Sequence, residues 1–221
     1  MDSFLEKLIT VILTARKYTP LLVGIDGIDA AGKTHLGDQL FTCLQQAGYP
    51  VIRSTVDHFH NPREVRYQRG KLSPEGYYYD SFNYGMFKQC LLEPLSPNGN
   101  RQYRTAQFDH RGNAEDPSPL LTAGEDVILI CDGIFLFRAE LLPYWDVKIF
   151  VDITFETCLQ RALSRDLNLL GDRETIICNY QQRYIPGQKL YFDLEHPHEK
   201  ADIIIDNNDY QHPFIAFLRK Q

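Results

Sequence analysis

The chain has 221 residues, 43% of them hydrophobic, enough to bury one sizeable core without metal or disulfides and too few for two full domains. A formal net charge of −6 argues against nucleic acid as partner, since that affinity would come from phosphate neutralisation. Five scattered cysteines without a CxxC pair fit reduced thiols, and the acidic start (Asp2, Glu6) with only a short apolar run from Leu8 to Leu13 fits neither a leader nor a membrane anchor, so a soluble cytoplasmic protein is expected.

Apolar spacing predicts an opening amphipathic helix over about 3 to 17, with Phe4, Leu5, Leu8, Ile12 and Ala15 on one stripe and Arg16 and Lys17 at its end. A strand over 21 to 26, a glycine-rich loop, a helix over 33 to 47 closed by Gly48, and a strand over 51 to 56 form a β-α-β unit. The residues from 93 to 124, rich in Pro, Gly and Asn, read as an excursion between sheet elements. The near-continuous apolar runs 127 to 131 and 147 to 151 read as strands covered on both faces, and 201 to 206 as another. Helical patterns fit 84 to 92, 155 to 170, 173 to 184 and 213 to 219. The alternation predicts an α/β fold: a doubly wound, mainly parallel sheet with helices on both faces, in one domain with an acceptor-binding excursion at about 58 to 124.

The stretch from Gly27 to Thr34 fits GxxxxGK[ST] between a strand and a helix, which makes it a phosphate-binding loop. Its glycines let successive backbone N–H groups turn inward, Lys33 adds positive charge for β/γ-phosphates, and Thr34 offers a hydroxyl to Mg²⁺. Gly27, Asp29, Ala30, Ala31, Gly32, Lys33, Thr34 and His35 are therefore the expected ATP contacts.

Ligands of such sheets sit beyond the carboxyl ends of the strands, and two aspartates fall there. Asp57 follows the second strand and precedes His58-Phe59-His60, the place for a general base acting on an attacking hydroxyl. Asp132 follows the run 127 to 131 and precedes Gly133, the place for a carboxylate that holds Mg²⁺. The histidine pairs His58/His60 and His196/His198 each lack a third ligand at a diagnostic spacing, so no transition-metal site is expected.

With these motifs the chain resembles the uridine kinase branch of the phosphoribulokinase and uridine kinase family of P-loop kinases over nearly its whole length. The resemblance runs through Gly24-Ile25-Asp26-Gly27, Asp57-His58-Phe59, Asp132-Gly133-Ile134, Val151-Asp152 with its helix to Arg165-Asp166, and Ala201-Asp202-Ile203-Ile204. It implies a P-loop kinase fold and ATP-dependent phosphorylation of a small hydroxyl-bearing metabolite, typically the 5′-hydroxyl of uridine or cytidine. Asp57 carries over as base, Lys33 and Thr34 as phosphate and Mg²⁺ ligands, Asp132 as metal acid, and Arg165 and Arg173 as lid charges in a lid at about 161 to 175.

The acceptor segment departs from the family pattern. Of the two aspartates in Asp-His-Pro-Asp-Ala-Phe only Asp80 remains, aligned with the second, whereas in the family the first grips the ribose hydroxyls. Rings beside a carboxylate suit a sugar with a flat base, which puts Asp80, Tyr79 and Phe59 among the expected acceptor contacts. Arg66 joins them from the cluster Arg63, Arg66, Arg69 and Lys71, which raises a rival acceptor already carrying phosphate or carboxylate. Phe108-Asp109-His110-Arg111 is similar to the family's Tyr-Asp before a base-contacting His and Arg, with His110 off the spacing, and adds Asp109 and Arg111. Pantothenate, nicotinamide riboside and other sugar-like acceptors stay open, as does a homo-oligomer. A GTPase switch is disfavoured because the guanine-reading Asn-Lys-x-Asp motif is absent.

Overall fold

The computed structural model describes residues 3–15, 19–170 and 172–219, with the backbone alone at 166 and 168–170. In chain order the elements are α1 (Ser3–Thr14), β1 (Leu21–Gly27), α2 (Lys33–Gln46), β2 (Val51–Thr55), α3 (Arg63–Arg66), α4 (Pro74–Asp80), α5 (Tyr84–Phe87) and α6 (Glu93–Leu95). The short strands β3 (Gln102–Tyr103), β4 (Phe108–Asp109), β5 (Ala114–Glu115) and β6 (Leu121–Thr122) come next. They are followed by β7 (Ile128–Asp132), β8 (Val147–Asp152), α7 (Phe155–Leu170), α8 (Arg173–Asn179), α9 (Ile185–Glu195), α10 (Pro197–Lys200), β9 (Ile203–Asp206) and β10 (Phe214–Leu218).

The main sheet runs β10-β9-β8-β1-β7-β2, with every neighbouring pair parallel except β10 against β9. β1 lies between β8 and β7, and all of its residues are buried. Alternation splits its side chains: Leu21, Val23 and Ile25 pack under α1, α2 and α7, while Leu22 joins Tyr78, Phe135, Trp145 and Tyr191 on the other face. This is the expected α/β sheet with helices on both faces.

Two expectations change. The helix expected over 213 to 219 is instead the edge strand β10, whose Ile215 pairs with Ile205 across a register shift, because the turn after Asp206 returns the chain along β9. The helix expected to stop at 184 passes through a wide π-type turn, Tyr180–Tyr184, and continues as α9. Pro186 explains the turn, since it lacks an N–H and its ring displaces the carbonyl four residues earlier; Pro94 stands in the same relation to the wide turn Lys88–Leu92. α1 is described to Thr14, and Arg16 and Lys17 lie outside the described residues. The excursion at 93 to 124 forms two small antiparallel pairs, β3 with β6 and β4 with β5.

Gly24 sits face to face with Trp145: a methyl group there would lie 2.7 Å from the indole Cδ2. Trp145 cannot retreat easily, being 4% exposed and donating through Nε1 to the Leu136 carbonyl at 2.9 Å. Gly24→Ala should lower stability by about 1–3 kcal/mol through overpacking. An unshifted denaturant midpoint would show that the ring yields.

Asp26, fully buried at the carboxyl end of β1, accepts from the Tyr191 hydroxyl and from the backbone N–H groups of Gly27 (2.7 Å) and Phe137 (3.0 Å). Burial outweighs these donors and raises its pKa from 3.8 to about 6. The folded chain thus keeps a proton that the unfolded chain releases near 3.8, so this group's contribution to stability falls as pH rises through that window. Between pH 4 and pH 7 the wild type should lose on the order of 3 kcal/mol relative to Asp26→Asn. Urea unfolding of both proteins checks this, and a pH-independent difference would contradict it.

Candidate active site

The loop after β1 is built by its backbone. Gly27 has φ 150°, and a side chain there would run into the Val151 carbonyl, while Gly32, at φ 94°, caps the start of α2. Lys33 folds back so that Nζ donates to the Ile28 carbonyl at 2.7 Å, holding the ammonium over the loop. Asn207, just beyond β9, donates to the Ala31 carbonyl at 2.7 Å. Arg161 of α7 reaches the carbonyls of Ala30 (3.4 Å), Asn207 (2.6 Å) and Asn208 (3.1 Å). The loop apex is anchored on its other side: the Asp29 N–H donates to Gln188 Oε1 at 2.6 Å, and the Tyr77 hydroxyl donates to Asp29 Oδ2 at 2.8 Å.

A cleft of about 580 Å³ opens over this loop. Asp29, Ala30, Gly32, Lys33, Thr34 and His35 line its floor, Asp57 and Asp132 enter from the ends of β2 and β7, and Arg161 and Arg165 from α7. Thr34 donates its hydroxyl to Asp132 Oδ2 at 2.7 Å. The other oxygen, Oδ1, is buried without a hydrogen bond; Arg53 Nη1 lies 2.7 Å away as a charge contact outside hydrogen-bonding geometry. A hydroxyl and a carboxylate side by side, one oxygen still wanting a partner, are hard oxygen donors of the kind Mg²⁺ takes, so the residues fit that ion. Asp57 differs from the other acids. Among the described residues none donates a hydrogen bond to its carboxylate, and burial, then the Asp132 charge, raises its pKa above the usual aspartate value.

The other end of the cleft is walled by His60, Arg66, Tyr67, Phe82 and His110, and by Arg183 and Tyr184 from the helix opposite. His60 stacks between Phe82 and His110, at 4.5 and 4.7 Å between ring centres, and donates from Nδ1 to the Asp57 carbonyl, 2.7 Å away. Burial pushes its pKa down to about 3, so it is a neutral ring.

Several expected residues stand elsewhere. Phe59 has no exposed surface and packs against Phe87 in the core, because the turn after β2 points it under the sheet. Tyr79 faces solvent outside the cleft, since the helical phase of α4 turns Tyr77 and Tyr78 inward. Asp80 is outside the lining as well, held by Arg69 Nε at 2.8 Å. Asp109 caps its own turn by accepting from the N–H groups of Arg111 (2.9 Å) and Gly112 (3.0 Å); neither it nor Arg111 lines the cleft, whereas His110 between them does. Arg173 is an exposed first residue of α8, outside the lining. The expected floor and strand-end residues Lys33, Thr34, Asp57 and Asp132, with Arg66 and Arg165, do come together around it. Arg183, Gln188 and Tyr184 are additions to the expected set; no local sequence motif announces them.

The chain matches the Phosphoribulokinase / Uridine kinase family over residues 22–211. It is 28% identical to the uridine kinase of Saccharomyces cerevisiae over 192 residues, covering 85% of this chain but only 37% of the yeast enzyme. It is 25% identical to the uridine kinase of Geobacillus sp. over 209 residues, 90% of this chain and 92% of that one. Among solved structures, "a Possible Uridine Kinase" from Bacillus stearothermophilus superposes with a TM-score of 0.72 at 24% identity, over 90% of this chain and 96% of the other. The phosphoribulokinase of Rhodobacter spheroides superposes at 0.60 and 16% identity, over 91% and 76%. With the loop, the strand-end acids and this fold in agreement, the chain belongs to the phosphoribulokinase / uridine kinase family, and so to the phosphotransferases that act on a hydroxyl acceptor.

Proposed function

We propose that the chain transfers the γ-phosphate of MgATP to the hydroxyl of a small metabolite, and that a nucleoside 5′-hydroxyl of the uridine or cytidine type is the first acceptor to test. The observation that carries the transfer is Asp57: a carboxylate open to the cleft with no donor among the described residues, at a strand end, in the same cleft as Lys33 and the Thr34–Asp132 pair. Lys33 and the loop N–H groups hold the phosphates, and Thr34 and Asp132 hold Mg²⁺. Bound there, that ion would supply charge neutralisation for the transferring phosphate. Asp57 orients the acceptor hydroxyl in line and takes its proton as the new bond forms. Arg165, whose Nη2 reaches the Tyr180 hydroxyl at 3.2 Å, closes with the lid at 161–175 to exclude water; Arg173 reaches the site only if that closure brings α8 inward.

A second hollow of about 600 Å³ shares Ala30, Gly32, His35 and Arg161 with the cleft and extends to Phe4, Leu5 and Tyr210. We assign it to the base of the donor nucleotide. Use of ATP and five free thiols support a cytoplasmic location in this reading, with one domain whose segment 58–124 would receive the acceptor. The nucleoside acceptor draws support from the uridine kinases among the relatives and from the rings that wall the cleft. One observation favours a different acceptor, of the pantothenate, nicotinamide riboside or sugar-like kind: Asp80, aligned with a family aspartate, is spent on Arg69.

Asp57→Asn should lower turnover by about 10²-fold or more with ATP affinity nearly intact, on the usual size of acid/base effects. Turnover measured beside ATP binding decides it, and normal turnover removes Asp57 from the mechanism. Because the Asp57 pKa is raised, the acidic limb of kcat/KM should lie above the ordinary aspartate range and activity should rise with pH through it. Lys33→Ala should weaken ATP binding and transfer together; unchanged values for both would sink the loop assignment.

A further inference from the structure

Charge is divided unevenly along the cleft. Its three acids, Asp29, Asp57 and Asp132, all belong to the loop and the strand ends. The wall formed by residues 60–82, His110 and 180–184 supplies two arginines, Arg66 and Arg183, and no acid.

Neither arginine is neutralised. Arg183, 4% exposed, donates to the carbonyls of Arg66 (3.2 Å), Gly70 (3.4 Å), Lys71 (3.1 Å) and Ser73 (3.2 Å). Carbonyl dipoles solvate its charge without cancelling it. Arg66 has one hydrogen bond among the described residues, from Nη2 to the His110 carbonyl at 3.3 Å, and its Nε is buried with no partner. The two guanidinium groups lie against one ring, Tyr67, at 5.6 and 4.9 Å from its centre. Burial and the like charges of Arg63 and Arg183 lower the proton affinity of Arg66, the direction expected when no acid answers it. Asp80, at the end of α4, is bound to Arg69. The imidazoles His60 and His110 both have lowered pKa values, so at neutral pH they accept or donate as neutral rings.

A half-buried cation with an orphaned N–H and an open cleft in front of it is complemented by an anion from outside the chain. We propose that the acceptor carries a compact oxyanion, a carboxylate or a phosphate, seated on Arg66, and that Arg66 sets acceptor specificity. The inference rests on the phosphotransfer reading above and, in place of the nucleoside named there first, points the acceptor to hydroxyl compounds that bear such a group.

The test has two parts. ADP release with MgATP is measured for matched pairs, glycerol against glycerate and ribose against ribose 5-phosphate, beside uridine and cytidine. The charged member of a pair should be favoured at least tenfold in kcat/KM over its neutral partner and over both nucleosides, and the two pairs separate carboxylate from phosphate. Higher kcat/KM for uridine or cytidine than for every anionic acceptor overturns the proposal. Independently of acceptor identity, the enzyme is saturated with Mg²⁺ and a non-hydrolysable ATP analogue, which fills the loop, and titrated calorimetrically with inorganic phosphate and, separately, malonate. At least one anion should bind, about 10- to 100-fold more weakly in Arg66→Gln, with part of the loss restored in Arg66→Lys, the range for a hydrogen bond to a charged group. Binding of neither anion, or equal binding by wild type and Arg66→Gln, overturns it. Thermal denaturation confirms that the variants are folded. Failure of the analogue itself to bind is a separate result, counting against the kinase reading.

Discussion

Four carboxylates gather at the carboxyl ends of three parallel strands, and the site depends on how each one is compensated. Asp26 is met by a hydroxyl and two backbone N–H groups, Asp29 by Tyr77 and Gln188 with Lys33 nearby, and Asp132 by Thr34 and the charge of Arg53. Asp57 alone has no donor among the described residues. Burying an acid without a donor is unfavourable, so the three acids set deeper are tied into the scaffold, while Asp57, exposed to the cleft, is left able to take a hydrogen bond from something that is not part of the chain. Position at the strand ends is generic to the fold; the unequal compensation singles out one acid for chemistry.

The opposite wall follows the same accounting with the sign reversed. Arg69 is answered by Asp80 and Arg53 by Asp132 and Asp38, and these pairs brace the walls. Arg161 and Arg183 are held by carbonyl groups, which fix their positions and leave their charge effective inside the cleft. The cleft therefore presents cations toward both of its ligands and reserves its acids for the line between them, the arrangement that phosphoryl transfer by positioning and charge neutralisation requires.

What the sequence discloses follows the range of the interactions. The phosphate loop, Asp57 and Asp132 are set by glycine placement and strand ends, and the apolar runs declare the parallel strands, so these stand where they were expected. Tyr79 was chosen over Tyr77 because the choice needs a helical phase, and Ser73, whose hydroxyl accepts from the Gly76 N–H, is the cap that starts that phase. Phe59 and Asp80 carry the right chemistry, but burial against Phe87 and pairing with Arg69 depend on residues distant in sequence or on a turn direction that periodicity does not encode. Residues 213 to 219 read as a helix because the two periods are hard to separate over seven residues; hydrogen bonding to β9 decides the outcome. Arg183 lies in the wide turn and Gln188 beyond it, past residue 184 where the predicted helix ends, and the continuation through Pro186 carries Gln188 to the loop.

That continuation also joins the two halves of the site. Gln188 receives the Asp29 N–H, donates to the Tyr184 carbonyl at 2.9 Å and approaches Asp29 Oδ2 at 3.5 Å, while Tyr77 of α4 donates to the same oxygen. At Gly187 a side chain would meet the Tyr77 ring at 2.8 Å and the Pro74 carbonyl at 2.9 Å, so α4 and α9 touch without a spacer. The apex of the phosphate loop, the helix that borders the acceptor wall and the helix that carries Arg183 are thus one polar, close-packed unit. A rigid link of this kind fixes the distance from the loop to the proposed acceptor wall before either ligand arrives. In-line transfer tolerates little error in that distance, which is why a loop built for phosphate is bolted to the wall that receives the acceptor.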